Sequence, residues 1–587
     1  MIHLIKYFLL TLAIPFLLYS QVIDVLEING NSTFSDSEIE SWAGIGKGTR
    51  LYSGILDTLE SRIAYNLSLN GYFNPEFSGS NMEFYSDSQQ VKVIMYVDEG
   101  GPSYIRNVVV TSNDSLCLKP FIPIFKFLQG QILDQTVIKD YINDALTKLE
   151  NTGNPFAVFT ISTIHFYYDS TDENHYADIY LNLETGLTSN IDKVEVQGSS
   201  STKDYVIVRE LRIEPGEPYS QEKIEEFPKR LNRLRFFEPV STPQFYVDSD
   251  NKGVLVVNIK DRQTNNFDGI IGYIPPAGDV ESGYITGLLN VSLRNLFGTG
   301  RAAAFRWRKI DRYSQELEFK YLEPWLFSFP LNLNAGFFQR QQDTTYVQRT
   351  LTGGLEYLAT EDVSAAVFIT SQSTIPTVRE DTVFTVYNST AFTTGVNLKI
   401  DTRDDPLAPT SGIFFNNFYD FSQKRINGPQ EFITPETPTE INLQRFEVTL
   451  ALFYQFFQRQ VLAFKINGRE LRGPFFEESD LYWLGGTQTL RGYREDQFRG
   501  NRVFWINLEY RLFLARRTYT YLFLDNGYYL RNAEERANIP KQEGYKIGYG
   551  FGLNLETAIG ILGVSFALAK GNSFSDGLIH FDILNEF

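Results

Sequence analysis

The stretch Val503-Phe-Trp-Ile-Asn-Leu-Glu-Tyr-Arg-Leu-Phe513 alternates with a period of two. Phe504, Ile506, Leu508, Tyr510 and Leu512 fall on one face, and Asn507, Glu509 and Arg511 fall on the other. Successive side chains of an extended strand point to opposite sides, so this segment has one apolar and one charged surface. The pattern recurs near the C-terminus, where Ile579, Phe581, Ile583 and Phe587 lie opposite His580, Asp582 and Glu586. From about Phe267 onward such segments follow one another, broken by turns, with no convincing amphipathic helix. A soluble sandwich also alternates, but this region is too large for one sandwich. A membrane barrel with an apolar exterior and a polar lumen fits, because closure leaves no unpaired edge in lipid. At about ten residues per spanning strand with comparable connections, residues 265–587 predict a transmembrane antiparallel β-barrel of about sixteen strands.

Composition agrees. Aromatic residues make up 15% of the 587, with 48 Phe and 34 Tyr against 3 Met, and there are 43 Gly. That mixture favours strands and tight turns. A net charge of -18 argues against a broad nucleic-acid footprint. The single cysteine, Cys117, rules out an internal disulfide framework and any cysteine-built metal site. With only 4 His in the chain, there is little material for metal or histidine catalysis. Residues 1–20 carry Lys6, an apolar run from Tyr7 to Tyr19, and Ser20. They read as a secretory signal peptide, too short for the roughly 20 apolar residues of a spanning helix. An exported chain without spanning helices must enter a membrane as strands.

Between Gln21 and about Arg262 the chain repeats loosely every 80 residues or so, a length suited to tandem small domains. Each repeat opens with a strand and turn: Val25–Gly30, Ile105–Ser112 and Ile191–Gly198. Helical sequence follows, as in Ile55, Leu59, Ile63 and Leu67. An aromatic then marks the helix end (Tyr72-Phe73, Phe156, Phe236-Phe237), and an alternating strand closes each repeat: Val91–Val97, Ala177–Leu183 and Gly253–Ile259.

This βααββ order resembles the polypeptide-transport-associated (POTRA) domain, with boundaries at 21–100, 101–187 and 188–264. The barrel region resembles the outer-membrane assembly-factor superfamily of BamA-like and TamA-like proteins. Leu490-Arg491-Gly492-Tyr493, downstream of Gly485-Gly486 and upstream of strand 503–513, matches the motif of that family's sixth extracellular loop. Further matches are Leu293–Arg301, Tyr321–Phe327, Asp401–Gly412 and the terminal Phe587. Gly492 gives conformational freedom to a loop folding back into the lumen. Arg491 presents a fixed fork of donors that needs a carboxylate wherever water is restricted. The resemblance implies a pairing of Arg491 with Asp525 of the Phe523-Leu-Asp525 motif, and Glu509 is a supporting partner by position. It also implies a weak lateral seam between the first and last strands, near Gly269, Ile270 and Gly272 on one side. Gly577, Ile579, Phe581 and Phe587 would form the other side. Pro275-Pro276 would end the first ladder early, since proline cannot donate.

The implied role is insertion or translocation of β-rich outer-membrane clients in a Gram-negative bacterium, with no cofactor and no nucleotide. Unfolded clients, outer-membrane lipids and a periplasm-spanning or lipoprotein partner on the repeats are the implied partners. Three repeats favour the TamA-like branch. The alternative is a two-partner secretion pore for one dedicated substrate, although that type generally carries two POTRA domains and a plug helix. Nothing argues for an enzyme. Gly44-Ile-Gly46-Lys-Gly48 lacks P-loop spacing, and Asp248–Gly253 has Lys252 where a calcium ligand is required. His165 and His175 lack a ligand cluster, no G-x-S-x-G is present, and Asp401, Asp404 and Asp405 belong to a strand and its turn.

Overall fold

The computed structural model describes residues 21–85, 90–198, 201–263, 265–275, 282–309, 311–377, 386–533, 539–557 and 560–584. The leader, Pro276 and Phe587 therefore lie outside the described residues. By packing, the chain divides into two units. One comprises Met1–Glu195, Ile213–Glu226 and Pro243–Val256, and the other Val196–Arg212, Phe227–Thr242 and Val257–Phe587.

In the first repeat, strand Val22–Asn29 precedes helices Asp36–Ala43 and Ile55–Leu69, and strands Asn81–Phe84 and Gln90–Asp98 follow. Val22–Asn29 pairs in parallel with Gln90–Asp98. Ile55, Leu59, Ile63 and Leu67 form the buried stripe of the longer helix and pack on Ile23, Val91, Val93 and Met95. The Gly44 segment caps the first helix: its left-handed φ of 60° lets its N–H reach the Glu40 and Ser41 carbonyls. The second repeat runs Ser103–Ser112, three helical segments ending in Gln135–Glu150, then Val158–Asp169 and Asn174–Glu184. Ile138, Ala145 and Leu149 pack there on Ile105, Ile179 and Leu181. The third has strand Lys193–Gln197, helices Asp204–Leu211 and Gln221–Leu234, and the hairpin Gln244–Val247/Gly253–Asn258 turned by Asp248–Lys252.

Sixteen antiparallel strands follow in sequential order. We label them β1 (Asn266–Ile274), β2 (Tyr284–Leu296), β3 (Arg301–Lys309), β4 (Gln315–Glu323), β5 (Leu331–Gln342), β6 (Tyr346–Leu358), β7 (Val363–Pro376) and β8 (Asn388–Asp401). The remainder are β9 (Gly412–Gly428), β10 (Glu440–Phe457), β11 (Gln460–Arg472), β12 (Arg502–Ala515), β13 (Thr518–Arg531), β14 (Gln542–Thr557), β15 (Gly560–Ala569) and β16 (Leu578–Leu584). In β12, Phe504, Leu508, Tyr510 and Leu512 are exposed outward while Trp505 is buried inward. Neighbouring strands continue the outward face through Leu522, Leu524, Tyr549 and Phe551. Apolar outside and polar inside is the reverse of a water-soluble sheet and suits a lipid surround. Among the described residues no ladder joins β1 to β16.

Candidate functional site

Residues 473–501 connect β11 to β12 and contain a small hairpin, Tyr482–Leu484 with Phe498–Gly500. Gly485 and Gly486 turn its tip, with the Gly485 N–H donating to Thr489 Oγ1 at 2.9 Å and the Gly486 N–H donating to the Leu490 carbonyl at 3.1 Å. Leu490 is fully buried among Leu484, Val503 and Trp505. It lies over Gly527, where an added Cβ would come within 3.0 Å of Leu490 Cδ2.

Arg491 is thereby delivered to the inner wall of β12 and β13. The register sets Asn507 opposite Asp525 and Glu509 opposite Phe523, so all four face the lumen. Arg491 donates from Nε to Asp525 Oδ2 at 2.8 Å and from Nη2 to Asp525 Oδ1 at 2.8 Å. Its backbone N–H adds a third bond to Asp525 Oδ2 at 3.0 Å. Nη1 reaches Glu509 Oε1 at 2.7 Å, and the guanidinium lies 3.7 Å from the centre of the Phe523 ring. Arg511 takes the other Glu509 oxygen at 2.9 Å, so two arginines face two carboxylates. Asn507 finishes the shell, donating to Asp525 Oδ1 at 2.9 Å and to the Thr489 carbonyl at 2.8 Å. Asp525 is 0% and Arg491 7% exposed. Charges buried this deeply are tolerable only with their bonds satisfied, so the loop has one well-defined seat.

Glycines make room for it. A Cβ on Gly548 of β14 would stand 1.8 Å from the Arg491 carbonyl oxygen, and one on Gly492 would meet the Leu568 carbonyl of β15 at 2.8 Å. Gly492 also has φ 90°, a left-handed conformation that glycine adopts without strain. Tyr493 donates from its hydroxyl to the Ile547 carbonyl at 3.2 Å.

Sequence reasoning missed a second anchor. Lys424 of β9 is 2% exposed and sits 2.5 Å from Glu477 Oε2 and 2.6 Å from Asp480 Oδ2, both in the loop's first turn. Glu477 Oε1 also accepts the Tyr387 N–H at 2.6 Å. No short motif announces this cluster, because its members come from distant segments. Gly548 was missed too, and its only trace is the alternation of Gly548, Gly550 and Gly552.

At the opposite end of the strands, the helices of the third repeat meet the turns. Asn295 Nδ2 donates to Thr202 Oγ1 at 2.7 Å, and Trp325 Nε1 donates to Glu210 Oε1 at 2.6 Å. Burial pushes the Glu210 carboxyl above the usual range, with the Trp325 hydrogen bond opposing it. Arg230 pairs with Glu361 at 2.7 Å, while Arg233 pairs with Asp362 and reaches the Asp401 carbonyl at 2.9 Å. Leu293–Arg301, Tyr321–Phe327 and Asp401–Gly412 each contribute a turn to this surface. Arg209, Glu210, Arg233, Asp362, Lys399 and Arg403 are among the residues lining a cavity of about 1630 Å³ there. Asp401 pairs with Arg403 at 2.8 Å and Asp405 with Arg517 at 2.6 Å, leaving these acids as structural ion pairs.

The residues expected at a seam lie at both ends of the sheet order. Gly269, Ile270 and Gly272 are in β1, paired with Leu289, Leu288 and Thr286. Ile270 and Ile271, on opposite faces, are 61% and 75% exposed. Ile579 and Phe581 point outward from β16, and Gly577 precedes that strand. Among the described residues no helix is long and apolar enough to span a membrane.

Comparison with known proteins supplies the family. The Omp85 superfamily domain matches residues 295–587, and the POTRA family, described as a surface antigen variable number repeat, matches 22–100 and 189–262. The chain is 23% identical over 406 residues to the outer membrane protein assembly factor BamA of Nitratidesulfovibrio vulgaris, covering 64% of this chain and 47% of that one. It thus spans about half the length of that relative. The crystal structure of Haemophilus ducreyi BamA lacking POTRA domains 1–3 aligns with a TM-score of 0.50 at 15% identity, covering 81% of this chain and 98% of the other. CdiB of Escherichia coli aligns at 0.51 and 13% identity, covering 82% and 90%. These two likenesses concern the fold alone. Repeats, barrel and matching domains together establish that the chain belongs to the Omp85 superfamily of outer-membrane barrels with periplasmic POTRA domains.

Proposed function

We propose that this protein inserts or exports β-rich client proteins at the outer membrane by offering a strand edge at the seam between β1 and β16. The observation that carries the reading is the sheet order, which runs from β1 to β16 with no ladder between them among the described residues. An unpaired strand edge is a template for another strand, and a client hairpin pairing there would have its backbone satisfied before it enters lipid. The exposed Ile270 and Ile271 add to this, since both faces of β1 are open at these two positions. The POTRA domains would receive clients or a periplasm-spanning or lipoprotein partner by strand addition to a sheet edge. The activity is non-enzymatic: the protein lowers an insertion barrier through backbone pairing.

The test is a reversible seam bond. With Cys117→Ser, one cysteine is placed near Ile270 and one near Ile579 at a pair of suitable geometry, and oxidised in the folded protein. Client assembly is expected to stop and to resume on reduction. Continued assembly by the oxidised protein would remove lateral opening as the mechanism. Depletion followed by outer-membrane proteomics separates the two readings: loss of many barrels fits an insertase, and loss of one secreted substrate fits a dedicated secretion pore.

A further inference from the structure

The loop that seats Arg491 also touches the last strand. The Gly492 N–H points at His580 Nε2, 3.1 Å away, and Gln488 Nε2 donates to Asp582 Oδ2 at 2.5 Å. A backbone N–H can only donate, so the imidazole must accept at Nε2 and carry its proton on Nδ1. His580 and Asp582 alternate with the outward Ile579 and Phe581, and so are inward positions of β16. The five-residue segment from Gln488 to Gly492 therefore makes contact along the inner wall from β12 to β16. Thr489 and Arg491 meet β12 and β13, the Arg491 carbonyl lies on Gly548 of β14, Gly492 lies on Leu568 of β15, and His580 receives its N–H.

We propose that this loop segment is a latch for the last strand, with His580 and Asp582 as the positioning residues that hold β16 from inside the barrel. The motivation is geometric. Among the described residues β16 is paired on one side only, through seven residue pairs with β15. A strand held on one edge is the part of the sheet with the least support, and here two acceptors facing the lumen supply what the missing neighbour does not. The Arg491–Asp525–Glu509 cluster fixes the loop to β12 and β13, so whatever is bonded to Gly492 is tied to a rigid point. On the reading given under Proposed function, the latch sets how readily β16 leaves its place when a client strand arrives.

The latch is tested by hydrogen exchange on the full chain reconstituted in phosphatidylethanolamine–phosphatidylglycerol vesicles. His580→Ala and Asp582→Ala are expected to speed exchange of the β15–β16 amides by about fivefold to tenfold, the size of one lost hydrogen bond. The His580 change should be the larger, since Gln488 is solvent-exposed. His580→Gln, which keeps an acceptor, is expected to restore protection, and exchange in β4–β8 should not change in any variant. Unaltered β15–β16 exchange in the His580→Ala/Asp582→Ala double variant would overturn the latch. So would a uniform rise over all strands, or a glutamine variant as fast as the alanine one. Exchange reads the latch without any client. A seam bond that fails to stop assembly would therefore sink the functional reading and leave these results intact.

Discussion

Two ion-pair regions lie in different parts of the sheet, one on β12 and β13 and one at the turn between β6 and β7, and they differ in how much water they keep. The Arg491 cluster and the Lys424 cluster are dry: Arg491, Lys424, Asp525, Glu477 and Asp480 are all buried. The pairs between the third repeat and the barrel turns are wetter, with side-chain exposures of 57% and 26% for Lys229 and Asp362, and 32% and 26% for Arg233 and Asp362. A dry pair gives little net stability over an apolar replacement, yet leaving half of one behind is costly, so it specifies a unique seat. A wet pair contributes little and is screened by salt. The loop is thus fixed, and the Asp362 ion pairs of the third repeat are easily exchanged.

The sharpest way to break this contrast is Arg491→Ala, which strands Asp525 and leaves Glu509 with Arg511 alone. Unfolding in lipid is expected to lose about 3–5 kcal/mol, whereas Arg494→Ala, on an exposed loop position, should stay within about 0.5 kcal/mol. Arg491→Ala, Asp525→Ala and the double variant close a cycle, and strict additivity would mean the two side chains do not interact. Lys424→Met comes next, at about 3 kcal/mol, because one of the two stranded acids can take up a proton and relieve the other. Replacing Glu477 and Asp480 by Gln and Asn in the same chain should recover part of that loss, and a full loss in the triple variant would count against the cluster.

A third kind of buried charge tests whether dryness or pairing matters. Glu99 is 2% exposed and, among the described residues, is bonded to backbone N–H groups and a hydroxyl and to no cation. Its carboxylate accepts the N–H groups of Ser32, Thr33 and Phe34 and the Ser32 hydroxyl, at 2.7–3.0 Å. Desolvation pushes its carboxyl up, but these donors outweigh it and hold it below the ordinary glutamate value. A depressed carboxyl stabilises the fold above its unfolded value, and the contribution disappears as pH falls through the folded one. The first repeat should therefore weaken in acid, below the usual glutamate range, and Glu99→Gln should cost about 1–2 kcal/mol at neutral pH and flatten that acid limb. An unchanged acid profile would show that Glu99 is not the group responsible. The smallest effect is expected at the turns. Arg233→Ala should cost about 0–1 kcal/mol, diminishing at high salt, as read by proteolysis of the third repeat. A loss above 3 kcal/mol that ignores salt would erase the distinction between the two regions.

The alternation in 503–513 was enough to place β12, its outward face and its lumen face, because period two is a local property of the chain. The Leu490–Tyr493 motif was legible for a similar reason: a charged residue beside a glycine is conspicuous inside a strand-rich sequence. Lys424, Glu477 and Asp480 were not. An isolated lysine on an alternating strand looks like any lumen residue, and only the fold brings the loop's first turn to it. His580 and Asp582 were readable as a polar face and no further, since the N–H that reaches His580 belongs to Gly492, 88 residues away. The stretches Leu293–Arg301, Tyr321–Phe327 and Asp401–Gly412 announced themselves as family-like, but their common purpose as turns meeting the third repeat is a property of three dimensions.

The position of the loop has a consequence for the order of assembly. It leaves β11, which is made before β12, yet its seat is built from β12 through β16 and its root from Lys424 on β9. Closing contacts between segments so far apart in sequence is slow compared with zipping neighbouring hairpins. The loop, tethered at its root, can meet β12 and β13 early, but its contacts with β14 to β16 must wait until the final strands arrive. Its docking is the event that reports completion, and a barrel whose loop has not docked would carry an unseated arginine and leave Asp525 without its cation.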